Sequence, residues 1–373
     1  MDFTPSEELR EIRKLARRIL TDVVTDDALK AHDREGHAYH QRAWQELGRS
    51  ELLGVALPAS LGGGEMSAVE LAAVLEEVGR AAAPIPVAAT LALAVEPLAR
   101  SGHAAARELI AATLAEGPVV AGAWAEADSR NPLAPTTTAR RDGDRVIING
   151  TKIAVEGGTV ARHFVITATL DGAPTLLLVP RDADGVTVVA RRATNFAPVA
   201  ELQLRDVAVP GSAVLDGAAP LIAACMDLYL LLQSAQMLGL ADRALELTAE
   251  YVTRRTQFGV PIATFQAVSQ RTGDCYIDVQ AMRLMVQRAA WRLGTGREAT
   301  REIRVARFTA AEGGHRVVSA AQHLHGGMGF DKDYPLHRYF LTMKQLEFAC
   351  GGANAQLAEL GRMVREQALA EIA

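Results

Sequence analysis

The apolar residues of this chain change period twice, and that limits the folds open to it. From Ser6 to about Ala115 they recur at three- and four-residue steps. Leu9, Ile12, Leu15, Ala16 and Ile19 form one stripe, and Ala68, Leu71, Ala72, Leu75 and Val78 another. The loop ALPASLGGGEMS between them ends at Ser67, a helix-capping residue type. Between Val119 and Val214 the apolar residues alternate or gather into short runs: RVIINGTKIAV, HFVITATLDGAPTLLLVP, VTVVA and ELQLRDVAV. Asn149-Gly150 and Asp171-Gly172 read as hairpin turns. Past Pro220 the helical period returns, through Leu228, Leu231, Leu232, Ala235, Leu238 and Ala241, and later through Phe265, Val268, Thr272, Cys275, Val279, Met282 and Val286. Helices, strands and helices again predict an α+β chain in three segments. Residues 1–118 form an amino-terminal helical domain, 119–215 a middle antiparallel β domain closed into a small barrel, and 216–373 a carboxy-terminal four-helix bundle.

Composition narrows the function classes. With 373 residues, 49% hydrophobic, the chain is long enough for two or three domains, and its net charge of −5 leaves no basic footprint for nucleic acid. Neither a polybasic run nor a signal core points to a membrane, and the uncharged stretch from Ala81 to Val95 holds two prolines and is too short to span a bilayer. Three scattered cysteines, Cys225, Cys275 and Cys350, lack metal spacing and fit a reducing cytoplasm. His323 and His325 alone are too few for a metal site.

Two stretches break the helical pattern in a way that suits a ligand. In YVTRRTQFGVPIATFQ, from Tyr251 to Gln266, two arginines, a glutamine and a phenylalanine precede Gly259 and Pro261, which do not continue a helix. Arg255 and Phe258, three apart, are expected on one face of the last helical turn. A planar cation beside a ring and a bare glycine can hold a phosphate. The alternative is that an arginine-rich helix end only complements the helix dipole. In QHLHGGMGFDKDYPLHRYF, from Gln322 to Phe340, Gly326, Gly327 and Gly329 let backbone approach a ligand closely.

Together these stretches resemble the carboxy-terminal domain of the acyl-CoA dehydrogenase flavoenzymes, and the likeness extends over essentially the whole chain in length and domain order. It implies FAD as cofactor and α,β-dehydrogenation of an acyl-CoA thioester. Arg255, Gln257, Phe258, Gln266, His323, Gly326 and Gly327 stand at positions that contact the pyrophosphate and adenosine end of FAD across a subunit interface. His325 is expected to pack on the glycine loop or donate to a flavin phosphate. The catalytic carboxylate of the family is missing: the two places it occupies in different members correspond to Cys350, in KQLEFACGG, and Tyr229, in MDLYLLLQSAQMLGL. The threonine-glutamate-proline segment is replaced by AEADSRNPL, and the flavin tryptophan and the hydroxyl two residues on by Ala154 and Glu156. What is retained reaches into a neighbour. That pattern resembles the base-lacking subunit of actinobacterial heteromeric α2β2 enzymes associated with steroid side chains. It implies a second dehydrogenase-like subunit and an electron-accepting flavoprotein as partners. Two alternatives stand beside it: a homo-oligomer using Glu347, one turn before Cys350, as base, and a catalytically silent scaffold that binds no flavin.

Overall fold

The computed structural model describes residues 4–372. Among the described residues seven α-helices precede the strands: α1 Glu7–Val23, α2 Asp26–Glu35, α3 Gln41–Arg49, α4 Ala68–Arg80, α5 Val87–Thr90, α6 Glu96–Ser101 and α7 Ala106–Glu116. Eight strands follow: β1 Val120–Ala123, β2 Thr138–Asp142, β3 Arg145–Glu156, β4 His163–Leu170, β5 Ala173–Pro180, β6 Val186–Arg192, β7 Pro198–Pro210 and β8 Val214–Leu215. The last part comprises α8 Ala218–Arg254, α9 Gln266–Gly294, α10 Thr300–His325, α11 Leu336–Phe348 and α12 Gly352–Ile372. By internal contacts the chain divides into two compact units, Met1–Asp26 with Ser67–Ala83 and Leu230–Ala373, and Asp27–Met66 with Pro84–Tyr229. The boundary at Tyr229 falls inside α8.

In the first unit, helices built on 3.6-residue stripes pack their apolar faces together. Ser67 caps α4 as the sequence indicates, and Glu70 returns the hydrogen bond, closing a capping box. Where α4 meets α8 the backbones touch. A Cβ added at Gly79 would lie 2.0 Å from the Gln236 carbonyl oxygen, and one at Gly239 1.8 Å from that of Glu76. Around this crossing, buried Glu76 pairs with Arg13 at 2.8 Å and Arg283 at 2.5 Å, and buried Glu77 with Arg17 at 2.8 Å. Arg80 clasps Glu246 with two bonds of 2.8 and 2.9 Å and also pairs with Asp242.

The bundle differs from four continuous helices. Its fourth member is broken between α11 and α12, where Cys350, Gly351 and Gly352 all take positive φ, at 56°, 83° and 68°. The fully buried Arg307 donates to the Leu346 and Ala349 carbonyls at the end of α11, and Gln356 Nε2 holds the Cys350 carbonyl at 3.1 Å. Orphan carbonyls at a helix end need such donors, so the break is stabilised where it stands. Helix α8 is long and apolar enough to cross a membrane by composition, yet 78% of its most apolar window is buried.

In the second unit the strands run in the order β6-β7-β3-β2-β4-β5-β8, with β1 on β4. Val146, Ile148, Phe164, Ile166, Leu177 and Leu202 fill the interior. The expectation of a purely antiparallel sheet is corrected: β4 lies parallel to both β1 and β2. Alternating hydrophobicity reports which face is buried, not strand direction: β2 runs opposite to β3, and the chain then returns to lay β4 along the other edge of β2 in the same sense. Asp171-Gly172 turns the β4–β5 hairpin as expected. Asn149-Gly150 does not turn: β3 continues through it with a register shift against β7, and the β2–β3 turn falls at Gly143-Asp144. Gly150 serves close approach instead, since a Cβ there would sit 2.4 Å from Thr137 Oγ1.

Candidate functional site

The arginine corner lies where α8 stops. Arg255 and Phe258 do not share a helical turn: α8 ends at Arg254, and Thr256–Gln257 pairs with Val260–Pro261 as a two-stranded hairpin. Phe258 (φ 52°) and Gly259 (φ 82°) form its two-residue tip, the left-handed pair that a tight hairpin turn requires. Pro261 and the hairpin ladder overrode the helical spacing. Phe258 is 94% exposed, an unusual position for an aromatic ring held in a strained backbone. Its ring meets that of Phe265 edge-on at 6.2 Å. The Arg255 guanidinium is exposed and makes no ion pair among the described residues. The Gln257 side chain bonds its neighbour's carbonyl, Thr256, at 2.8 Å, and Gln266 is exposed at the first position of α9.

The glycine loop lies beside this corner. Tyr251, one turn before Arg255, stacks its ring on His325, with centroids 4.3 Å apart, and Gly326 follows directly. Gly326 and Gly327 are exposed, with nothing within 4 Å of an added Cβ. Gln322 Nε2 ties the loop from below through the Gly329 carbonyl at 2.7 Å. His323 is exposed on the last turn of α10. Of the two roles expected for His325, donation to a phosphate is corrected: it is buried, with Nδ1 2.8 Å from the Ala321 carbonyl oxygen and Nε2 3.0 Å from the Tyr334 hydroxyl, so neither ring nitrogen is free for a phosphate.

The places where a base is expected are occupied by other chemistry. The half-buried Cys350 thiol sits 3.9 Å from Gln233 Oε1 in the strained turn after α11. Tyr229, 7% exposed, donates its hydroxyl to Glu156 Oε1 at 3.1 Å. Burial pushes the Glu156 carboxyl up, and the Tyr229 bond works against that rise. Beside it Ala154 has a φ of 52° at a register shift of β3. Glu347 is engaged rather than solvated: Lys344 Nζ is 2.6 Å away and His315 Nδ1 3.4 Å.

One residue was missed. Glu126, in AEADSRNPL, is buried at the start of the barrel with the fully buried Lys152 at 2.6 Å, and it accepts from Thr136 and Thr137 through both amides and both hydroxyls. Burial alone would raise this carboxyl, but the bonds from Lys152, Thr137 and Thr136 hold it at about 2. Burial brings the Lys152 ammonium down to about 8, against the opposing pull of Glu126. The signal was a lysine in phase with Val146 and Ile148 on the inward face of β3, where a charge needs a buried partner.

Helices flanking a mixed eight-stranded sheet, with an exposed arginine corner beside a bare glycine loop, define the fold of the acyl-CoA dehydrogenases. Models of that family's amino-terminal, middle and carboxy-terminal domains match residues 6–118, 121–207 and 222–364, and the chain belongs to this family. The acyl-CoA dehydrogenase FadE27 of Mycobacterium tuberculosis is 34% identical over 98% of this chain and 99% of its own. Among solved structures, a Tcur3481-Tcur3483 steroid ACAD variant superposes with a TM-score of 0.90 at 38% identity, over 97% of this chain and 99% of its own. The ChsE4-ChsE5 complex from Mycobacterium tuberculosis gives 0.89 at 35%, over 98% and 99%.

The residues present fit FAD at one end only. Open glycine backbone and an unpaired guanidinium suit a pyrophosphate. At the positions that the resemblance assigns to the flavin ring stand Ala154 and Glu156, a carboxylate already bound to Tyr229.

Proposed function

We propose that this chain is the base-lacking subunit of a heteromeric, FAD-dependent acyl-CoA dehydrogenase that acts in the cytoplasm, with a steroid side-chain thioester as the substrate class. The reading treats 1–118, 119–215 and 216–373 as its three domains. The observation that carries it is the asymmetry within one chain: both base positions hold non-carboxylates, while the Arg255 corner is exposed and unpaired. The complex relatives support it by their composition, since two of the solved structures are named as pairs of chains.

In this reading Arg255 neutralises the pyrophosphate, the Gly326 and Gly327 amides lie against it, and Gln257, Phe258, Gln266 and His323 border the adenosine. When bound, FAD supplies the acceptor for the β-hydrogen, and an electron-transfer flavoprotein reoxidises it. The α-proton goes to a carboxylate of the second subunit, because Cys350 and Tyr229 are poor bases in their surroundings. Losing a positioned base costs about 10²–10⁴-fold in rate.

The test is turnover of steroid-type and straight-chain acyl-CoAs by the chain alone and after co-expression with a second dehydrogenase subunit. Activity is expected only with the partner. Robust turnover by the lone chain, abolished in Glu347→Gln, would instead make Glu347 the base of a homo-oligomer. Arg255→Ala in the complex should lower flavin absorbance per protein, and unchanged flavin content would refute the nucleotide role.

A further inference from the structure

The arginine corner and the glycine loop are joined from behind by three side chains to which the proposed function gives no part. Tyr251 at the end of α8 lies flat on His325, with ring planes 23° apart, and its own carbonyl accepts the Arg255 amide at 2.9 Å. Its hydroxyl is 3.4 Å from the His325 carbonyl oxygen. Tyr334, on the segment leading to α11, packs its ring 5.2 Å from the imidazole. A carbonyl only accepts, so Nδ1 carries a proton toward Ala321, and in the neutral ring Nε2 accepts from the Tyr334 hydroxyl. The neutral form of His325 thus has a single tautomer here. Gly326, immediately after it, adopts φ 58° and ψ −133°, a region open only to glycine, so the direction of the loop is set at this junction.

We propose that His325, with Tyr251 and Tyr334, is a positioning residue for the nucleotide corner: neutral, it locks the Gly326 loop against the Arg255 end of α8, and protonated, it loosens that corner and weakens the hold on FAD. The inference rests on the proposed nucleotide role of Arg255. An imidazolium would carry a proton on Nε2 facing the Tyr334 hydroxyl, which would have to rotate and give up its donation. Burial lowers the tendency of His325 to protonate, with the Ala321 bond opposing, and burial keeps the Tyr334 phenol protonated. The charged groups acting around Tyr334 are Glu250, Arg243 and Arg254 of α8, and His337 Nδ1 lies 2.8 Å from the Tyr334 carbonyl oxygen. Because the folded form disfavours the charged imidazole, the locked arrangement is intact above the ordinary histidine value of about 6.5 and is lost as pH falls below it.

The experiment follows FAD release from the loaded complex, by recovery of free-flavin fluorescence, between pH 5 and 8. In the wild type the dissociation constant should be flat above pH 7 and rise about two- to tenfold below pH 6.5, the size of one lost hydrogen bond. His325→Gln, whose amide can donate to Ala321 and accept from Tyr334, should keep the affinity at pH 7.5 and flatten the profile. Tyr334→Phe should weaken binding at all pH values, and His37→Gln, at an exposed position between α2 and α3 with no part in the corner, should leave the profile unchanged. A wild-type profile in His325→Gln, or a flat one in His37→Gln, overturns the proposal. Unchanged flavin content in Arg255→Ala is a separate failure, that of the nucleotide reading itself.

Discussion

At the scale of single residues, the most consequential side chains lie inside the barrel. Lys152 has no exposed surface and is matched by Glu126, so removing either partner strands a charge in an apolar interior. Lys152→Met is expected to destabilise the protein by about 3–5 kcal/mol, measured by denaturant unfolding, whereas the double variant Lys152→Met with Glu126→Leu should recover most of the loss. The pair also sets an acid limit. The folded carboxyl is held at about 2, below its ordinary value of 4.5, so the unfolded chain binds the proton first and stability is full above about pH 4.5 and falls as pH drops toward 2. An acid titration of the circular dichroism signal should show this loss in the wild type, and it should be much reduced in Glu126→Gln.

At the scale of elements, the α4–α8 crossing depends on the absence of two side chains. Gly239→Ala would place a methyl carbon 1.8 Å from a backbone oxygen, and backbone cannot yield as a flexible side chain can. The helices must separate, at a cost of about 1–3 kcal/mol or more, visible as a lower melting temperature, while an alanine at exposed Gly361, which meets nothing within 4 Å, should be neutral or stabilising. Ser67→Ala removes one half of the capping box at the start of α4 and should cost about 1 kcal/mol. The cap was legible because Ser67 is a capping residue type set directly before an apolar helical stripe. The glycines of the crossing were not singled out, since a glycine inside a helical stripe carries no local sign of which backbone it admits.

For the molecule as a whole, the proposed heteromer would need an apolar surface for its partner, and one set of exposed residues suits it. Phe258, Phe330, Tyr276, Ile277 and Leu284 are each about half exposed or more in the lone chain, and they come from the hairpin, the glycine loop and α9. Phe258→Asp is expected to reduce assembly with the second subunit in sedimentation velocity and to lower flavin content with it. Normal assembly and full flavin occupancy in that variant would remove Phe258 from the interface.

The sequence by itself determined the order of helices and strands, the cap at Ser67 and the hairpin at Asp171-Gly172, because each follows from local periodicity or turn chemistry. Only the tertiary structure decided the rest. It turned Arg255–Phe258 from a helical face into a hairpin tip, made Asn149-Gly150 a bulge, ran β4 parallel to β1 and β2, broke the last helix at Cys350 and enclosed Lys152 with Glu126. Each of these depends on which distant backbone or side chain arrives at a given position. Local pattern fixes what a segment can form and which face it buries, while strand direction, close approach and the partner of a buried charge are set by residues far away in the chain.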